Sequence, residues 1–419
     1  MGKNRAMAAP RSLGSLLERL LGPDLPVAVE AYDGSRLGPT DAPATLVVRS
    51  PEALRRILTA PGELGFARAY VSGALDVEGD IFAALALRDR LPKVKADFEL
   101  WSGIARLIGR AGLRPLPPPP EEARLTGRRH SRERDAAAVA YHYDVSNEFY
   151  RIVLGPSLTY SCAVWADPSV GLERAQEAKH DLICRKLGLA PGMRLLDVGC
   201  GWGSMLLHAA AQYGVQGVGI TISRRQADLA AKRVSEAGLA DRVEIRVQDY
   251  RDVADGPYDA ISSVGMFEHV GIDQLGVYFS RLDQLLRPSG RLLNHGITRP
   301  PSKHSRFARR GFIDRYVFPD GELHEVGTVV SSLQQTGFEF RHGESLREHY
   351  ALTLRAWVAN LESSWDDAVA EVGTARARIW RLYMAAAACN FERGDTNVYH
   401  LLATRSDGGR SGMGWRPDW

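Results

Sequence analysis

The stretch Arg194-Leu195-Leu196-Asp197-Val198-Gly199-Cys200-Gly201-Trp202-Gly203 constrains this chain more than any other. Leu195, Leu196 and Val198 make a short buried strand interrupted only by Asp197. Three glycines follow at alternate positions, and a helix is expected from Met205. Strand, glycine turn and helix bring backbone N–H groups close to a nucleotide-like ligand. No Gly-Lys-Ser/Thr follows, so the turn is not a phosphate-binding P-loop. Its Gly-x-Gly-x-Gly spacing also departs from the dinucleotide pattern. Asp197 would repel a pyrophosphate but suits a ligand that carries positive charge and no phosphates. S-adenosylmethionine (SAM), with its sulfonium and α-amino group, is such a ligand. An ordinary strand–turn–helix crossover remains the plain alternative.

A length of 419 residues allows two or three domains, and a net charge of only +3 gives no nucleic-acid signature. No run of apolar residues is long enough for a membrane span. Met1 to Pro10 lacks the apolar core of a secretory signal. Cys162, Cys184, Cys200 and Cys389 are far apart and form no C-x-x-C pair. That usage points to a reducing, cytoplasmic compartment and away from a structural metal.

Residues 1–91 read as a small α+β domain. Leu13, Leu16, Leu17, Leu20 and Leu21 fall at helical spacing. Val27 to Tyr32 and Ala44 to Val48 read as strands, and Ser50-Pro51 opens a helix. Residues 92–135 read as a linker. It holds the extended run Arg114-Pro115-Leu116-Pro117-Pro118-Pro119-Pro120 and the basic series Arg124, Arg128, Arg129, His130, Arg132 and Arg134. A solvated linker and a patch for an anionic membrane surface stand about level here. Each basic side chain near such a surface contributes roughly 1 kcal/mol.

From 136 to 419 the chain reads as the catalytic domain. Strands are expected at Leu195–Val198, Gly217–Ile222, Val243–Val247, Tyr258–Val264 and Gly290–His295, alternating with helices. Such alternation implies a parallel sheet with helices on both faces and ligands at the carboxyl ends of the strands. Gly199 to Gly203, Thr221, Asp249, Glu268 and His295 all fall at those ends. The section from Leu352 to Arg405 reads as mostly helical. Its tryptophans are core or the wall of a channel for an apolar substrate.

Several motifs now stand in order: Tyr141-His142-Tyr143-Asp144-Val145-Ser146-Asn147, Tyr160-Ser161-Cys162-Ala163, Leu196 to Gly203, Gly219-Ile220-Thr221-Ile222-Ser223, Gln248-Asp249-Tyr250-Arg251 and Gly265-Met266-Phe267-Glu268-His269-Val270-Gly271. Tyr316 to Gly321 and Asn390-Phe391 extend the series. With them the chain resembles the cyclopropane-fatty-acyl-phospholipid synthase family, which includes the mycolic acid cyclopropane synthases. The segment Ala60 to Tyr70 looks like actinobacterial members. The likeness is strong from Ala136 to Arg405 and weaker before it.

The resemblance implies a Rossmann-like, class I SAM-dependent methyltransferase fold with a helical cap, plus the small N-terminal α+β domain. It implies SAM approached by Gly199 and Gly201 at its methionine part, next to the Asp197 carboxylate that suits its positive charge, with Tyr160 and Ser161 closing over it. Thr221, Ile222 and Gln226 would take the ribose and adenosine, and Asp249, Tyr250 and Arg251 would flank the adenine. It implies bicarbonate as the base, bound by Cys162, Glu268, His295 and Tyr350. The reaction expected is methyl transfer, through a carbocation, to the cis double bond of an unsaturated acyl chain carried by phospholipid, which the basic run and the N-terminal domain favour, or by acyl carrier protein. Its product is a cyclopropane or a 10-methylene branch on the way to a 10-methyl fatty acid. A cytoplasmic enzyme, peripheral at the inner face of the membrane and often dimeric, goes with it. A small-amine N-methyltransferase on the same scaffold and a non-catalytic lipid-binding protein are the competing readings.

Overall fold

The structure, a computed structural model, describes residues 13–22, 25–90, 114–123, 126–128, 131–143, 145–301, 311–417 and 419. Arg124, Arg129 and His130 of the basic series lie outside them. By contact the chain forms two compact units. One is Met1–Glu122 with Arg306–Val317 and Gly373–Cys389. The other is Ala123–Ser305 with Phe318–Val372 and Asn390–Trp419. The units are discontinuous in sequence, so they do not coincide with the expected divisions at 91 and 135.

The first unit is built on a four-stranded sheet in the order β2-β1-β3-β4, with β1 Ala28–Ala31, β2 Arg36–Leu37, β3 Ala44–Val48 and β4 Leu75–Gly79. Helices Leu13–Leu21, Pro51–Thr59, Glu63–Val71 and Ile81–Arg90 accompany it. Val29, Leu46, Val48 and Val77 point inward at alternate positions, the period-two pattern of a half-buried strand. Side chains distant in sequence complete the unit. Arg381 donates to the Tyr70 hydroxyl and to the Val77 carbonyl, each at 3.1 Å, and Arg378 pairs with Asp76 at 2.7 Å. Glu122, buried, accepts from Arg68, Arg315 and the Tyr316 hydroxyl. The proline run is anchored, since Arg56 donates to the Pro117 carbonyl at 3.0 Å.

The second unit carries a sheet in the order β11-β12-β9-β8-β5-β6-β7, with β10 (His324–Glu325) paired to β9. Its strands are β5 Arg194–Val198, β6 Gln216–Thr221, β7 Val243–Val247, β8 Tyr258–Val264, β9 Leu286–Arg299, β11 Phe338–Ser345 and β12 Asn397–Arg405. β5 to β9 are mutually parallel, whereas β12 runs antiparallel to both β9 and β11. This is the class I methyltransferase arrangement that the resemblance implies. Two points depart from the sequence reading. β12 lies within the stretch expected to be mostly helical, and it is an interior strand buried on both faces. β9 is longer than Gly290–His295, so His295 sits in mid-strand. It is nonetheless level with the strand ends, because it pairs with Val264, the last residue of β8.

Local chemistry explains the elements around the sheet. Leu195 and Leu196 are fully buried in β5, and Gly199, Gly201 and Gly203 turn the chain with φ of 77°, 55° and 81°, a backbone region that favours glycine. Ser223 caps helix Arg224–Glu236 by accepting from the Gln226 N–H, worth about 1 kcal/mol. Among the described residues no helix is long and apolar enough to cross a membrane.

Candidate active site

The carboxyl ends of β5, β6, β7 and β8 open on one cavity of about 1250 Å³, its mouth included. Tyr160, Ser161, Asp197, Gly199, Gly201, Thr221, Ile222, Gln226, Asp249, Tyr250 and Arg251 all line it. The sequence singled out each of them, and the parallel sheet brings them together because all but Tyr160 and Ser161 lie at or after the carboxyl end of a strand.

Their bonding refines what each has to offer. Asp197 is buried and accepts from the Ser262 hydroxyl at 2.6 Å. Burial pushes its carboxyl up to about 6, against the Ser262 hydrogen bond and the nearby Lys179 charge. The Thr221 hydroxyl donates to Gln226 Oε1 at 2.9 Å and accepts from the Ser223 N–H. Thr221 therefore fixes Gln226 and leaves the Gln226 amide nitrogen as the donor. Asp249 is clamped by Arg251 through Nε at 2.8 Å and Nη2 at 2.6 Å, and the Arg251 guanidinium lies over the Tyr250 ring. Burial raises the Asp249 carboxyl, but the Arg251 hydrogen bonds and charge outweigh it and hold it below its ordinary value.

Cys162, Glu268, His295 and Tyr350 are not among the lining residues of that cavity. One backbone ladder links Glu268, Tyr350 and Cys162, and His295 lies on the same strand as its Ile297. Glu268 Oε1 accepts from the Ile297 N–H at 2.7 Å. Ile297 pairs with Val398 across β9 and β12, and the Val398 carbonyl accepts from the Leu346 N–H at 2.9 Å. The Leu346 carbonyl accepts from both the Tyr350 N–H and the Cys162 thiol.

The four differ in chemistry. Cys162 is wholly buried, which pushes its thiol far up; as a neutral S–H it donates to the Ala163 and Leu346 carbonyls. It is a weak donor here and not a thiolate nucleophile. Burial raises the Glu268 carboxyl to about 7. Its Oε2 and His295 Nδ1 are buried with no hydrogen-bond partner in the protein. Burial and the Lys179 and Lys186 charges lower His295 to about 3, so its imidazole is neutral. The unsatisfied Glu268 Oε2 fits a small polar guest, because such a group is otherwise paired.

An aromatic wall joins the two regions. Tyr160 stands 5.3 Å from Trp357, Trp357 6.0 Å from Tyr350, and Tyr350 4.7 Å from Phe391 by ring centroids.

Trp202, Met266 and His269, which the sequence motifs include without a role, also line the cavity, as do Lys179 and His180, which the sequence reading does not single out. Lys179 is buried, donates to Ser161 Oγ at 3.0 Å, and is lowered to about 7 by burial despite the opposing Asp197 charge. Its signal was present in the spacing. Lys179 and Lys186 fall on the same helical stripe as Ala175, Leu182 and Ile183, which face the core.

Strand order, glycine turn and cavity together define a class I SAM-dependent methyltransferase. A family profile described as mycolic acid cyclopropane synthetase matches residues 130–401. A probable fatty acid methyltransferase of Mycobacterium tuberculosis is 48% identical over 406 residues, covering 94% of this chain and 95% of the relative. The cyclopropane-fatty-acyl-phospholipid synthase of Escherichia coli is 34% identical, covering 87% of this chain and 88% of that one. Among solved structures, the mycolic acid cyclopropane synthase CmaA1 complexed with SAH and CTAB is similar at 34% identity and a TM-score of 0.60, over 64% of this chain and 97% of that one. The chain belongs to the mycolic acid cyclopropane synthetase family, and it is an enzyme that uses SAM.

Proposed function

We propose that this enzyme transfers a methyl group from SAM to the cis double bond of an unsaturated phospholipid acyl chain, with bicarbonate as the base. The product is a cyclopropane or a methylene-branched chain. The observation that carries this reading is the orphaned buried Glu268 Oε2, taken with an aromatic series that runs from Tyr350 through Trp357 to Tyr160 at the cofactor cavity.

An alkene is a weak nucleophile, so the site must align it and exclude water. SAM supplies an electrophilic methyl on a sulfonium. Asp197, with the backbone of Gly199 and Gly201, takes its methionine end. The Gln226 amide, held by Thr221, and Ile222 take the ribose and adenosine, and Asp249, Tyr250 and Arg251 flank the adenine. Tyr160 and Ser161 close over it. The rings of Tyr160, Trp357 and Tyr350 offer negative faces to the cation that forms on the acyl chain. Loss of a proton from the transferred methyl closes the ring; a hydride shift before that loss gives the branch. Glu268, His295, Tyr350 and Cys162 would hold bicarbonate, which supplies a base that a carbocation does not permanently alkylate.

The direct test incubates the enzyme with SAM and oleoyl phospholipid, in neutral and in anionic vesicles, and follows the fatty acids by mass and gas chromatography. A gain of one methylene unit is expected. Absence of any methylene or methyl gain overturns the proposal, and retention time separates ring from branch. The anionic-surface part of the reading rests on Arg128 and on basic residues outside the described set. Arg132 is paired with Asp252 and Arg134 with Asp320. Faster turnover on anionic vesicles that salt abolishes is the expected result. Equal rates on both would leave 92–135 a linker only.

Asp197 makes the cofactor step sensitive to pH. A cation favours the ionised carboxylate, so SAM affinity should fall as pH drops below about 6, by up to about tenfold per unit. Calorimetric titration from neutral to acid pH reads this directly. A flat profile, or the same profile in Asp197→Asn, would remove Asp197 from the methionine end.

A further inference from the structure

The register of the sheet places three titratable side chains in one row. Glu344 on β11 pairs with His400 on β12, and His400 pairs with His295 on β9. Directly opposed residues share a face. Lys186 reaches the same row from helix Leu172–Leu187. Its side chain is completely buried, it pairs with Glu344, and its Nζ lies 3.1 Å from His400 Nδ1. Glu344 is 37% exposed at its side chain, so the row starts at solvent and ends in the candidate active site.

A lysine ammonium has three donors and no acceptor. Facing Lys186, His400 Nδ1 must accept, which leaves the ring proton of a neutral His400 on Nε2. That atom is buried and has no partner in the protein. The His400 and His295 ring centroids are 4.9 Å apart, a spacing at which facing imidazole nitrogens come within hydrogen-bond reach. In the neighbouring ring, His295 Nδ1 is likewise buried without a partner. A ring with an unmatched donor thus neighbours a ring with an unmatched nitrogen.

We propose that Lys186 and His400 are positioning residues that fix the proton of His295 on Nε2, so that His295 meets the small anion as a hydrogen-bond donor. The inference about the anion rests on the function proposed above; the one about the tautomer does not. Burial and the flanking lysine charges keep both imidazoles neutral, so each carries one proton. The Glu344 carboxylate holds the Lys186 ammonium in place, and that ammonium decides where the two protons sit. His295 then orients the base without competing for the proton that methyl transfer releases.

The test is NMR of the full chain, without SAM or lipid, with histidine labelled at the ring nitrogens. Ring-nitrogen shifts separate protonated from lone-pair nitrogens, and loss of a signal in His295→Gln assigns His295. The wild type should show His295 with its proton on Nε2. In His400→Leu that preference should relax to a mixture. In His400→Gln, whose amide nitrogen still donates, it should persist. A His295 proton on Nδ1 in the wild type overturns the proposal even if no variant folds. So does an unchanged Nε2–H signal in a folded His400→Leu. Kinetics add a second readout. The KM for bicarbonate should rise about tenfold in His400→Leu, the scale of one hydrogen bond to a charged group, with SAM affinity unchanged. An unaltered KM overturns the role assigned to the pair. A wild-type rate indifferent to bicarbonate overturns the proposed base instead, and the spectrum still decides the tautomer.

Discussion

Glu268→Gln is expected to lower product formation on an oleoyl phospholipid by about 10²–10⁴-fold, the usual contribution of positioned proton transfer, while SAM binding by calorimetry stays unchanged. The substitution is conservative in shape. A glutamine Oε1 still accepts from the Ile297 N–H, which Glu268 Oε1 does at 2.7 Å, so the short turn Phe267–His269 keeps its anchor. What changes is the second oxygen. In the wild type it is a buried acceptor without a partner, on a carboxyl that burial has raised to about 7. An amide NH₂ there has no proton to exchange and offers two donors where an acceptor stood. If the base is held at this oxygen, the methyl proton cannot be removed and turnover stops after the cofactor has bound. If the enzyme methylates an amine, whose nitrogen is already a nucleophile, the same variant should keep its rate. Undiminished transfer to lipid by Glu268→Gln would therefore contradict the mechanism while leaving the fold and the cofactor intact.

This separation into a cofactor half and a proton half also marks what could be read from the sequence. The cofactor half was legible because its residues follow strands whose apolar runs are plain. Leu195, Leu196 and Val198 announce β5, and Asp197 and the glycines come with it. The α+β character of the N-terminal region was legible for the same reason, from Ala44 to Val48 and the helix at Pro51. β12 was not legible. Asn397 to Arg405 follows a long helix and lies between two strands, buried on both faces, so it carries no alternation to distinguish it from helix. Missing β12 also hid His400, and with it the row that ends at His295. Lys179 and Lys186 were passed over because a lysine normally signals a solvated face. Only their position on an apolar stripe contradicts that, and only the packed helix shows what they meet. The composition of the first unit was hidden for a related reason. Arg378 and Arg381 tie to Tyr70, Asp76 and Val77 across some three hundred residues, and no local pattern encodes such a partner.

Gly296→Ala is expected to abolish activity as severely as a change at Glu268, although residue 296 carries no functional group. In β9 Gly296 sits between His295 and Ile297, and its backbone is ordinary strand, so conformational freedom is not the reason for glycine here. Close approach is. A Cβ at 296 would stand 1.9 Å from Phe267 Cε1 and 2.5 Å from Cδ1. Phe267 is fully buried in the core beneath the sheet, so its ring has little room to retreat, and overpacking of this kind costs roughly 1–3 kcal/mol. The displacement passes straight to the site. Phe267 precedes Glu268, and the Ile297 N–H that holds Glu268 follows Gly296. Moving the ring therefore pulls both partners of that hydrogen bond apart, and it shifts His295 on the other side. The expected signature is a lowered melting temperature and loss of product comparable to that of Glu268→Gln, with a smaller loss of SAM affinity, since Met266 and His269 on either side of the moved segment line the cavity. Phe267→Leu in the Gly296→Ala background should recover part of both losses by vacating the space the new methyl needs. A Gly296→Ala enzyme with wild-type turnover would show that Glu268 and His295 do not have to be held at this spacing, and the proton half of the site would then have to lie elsewhere.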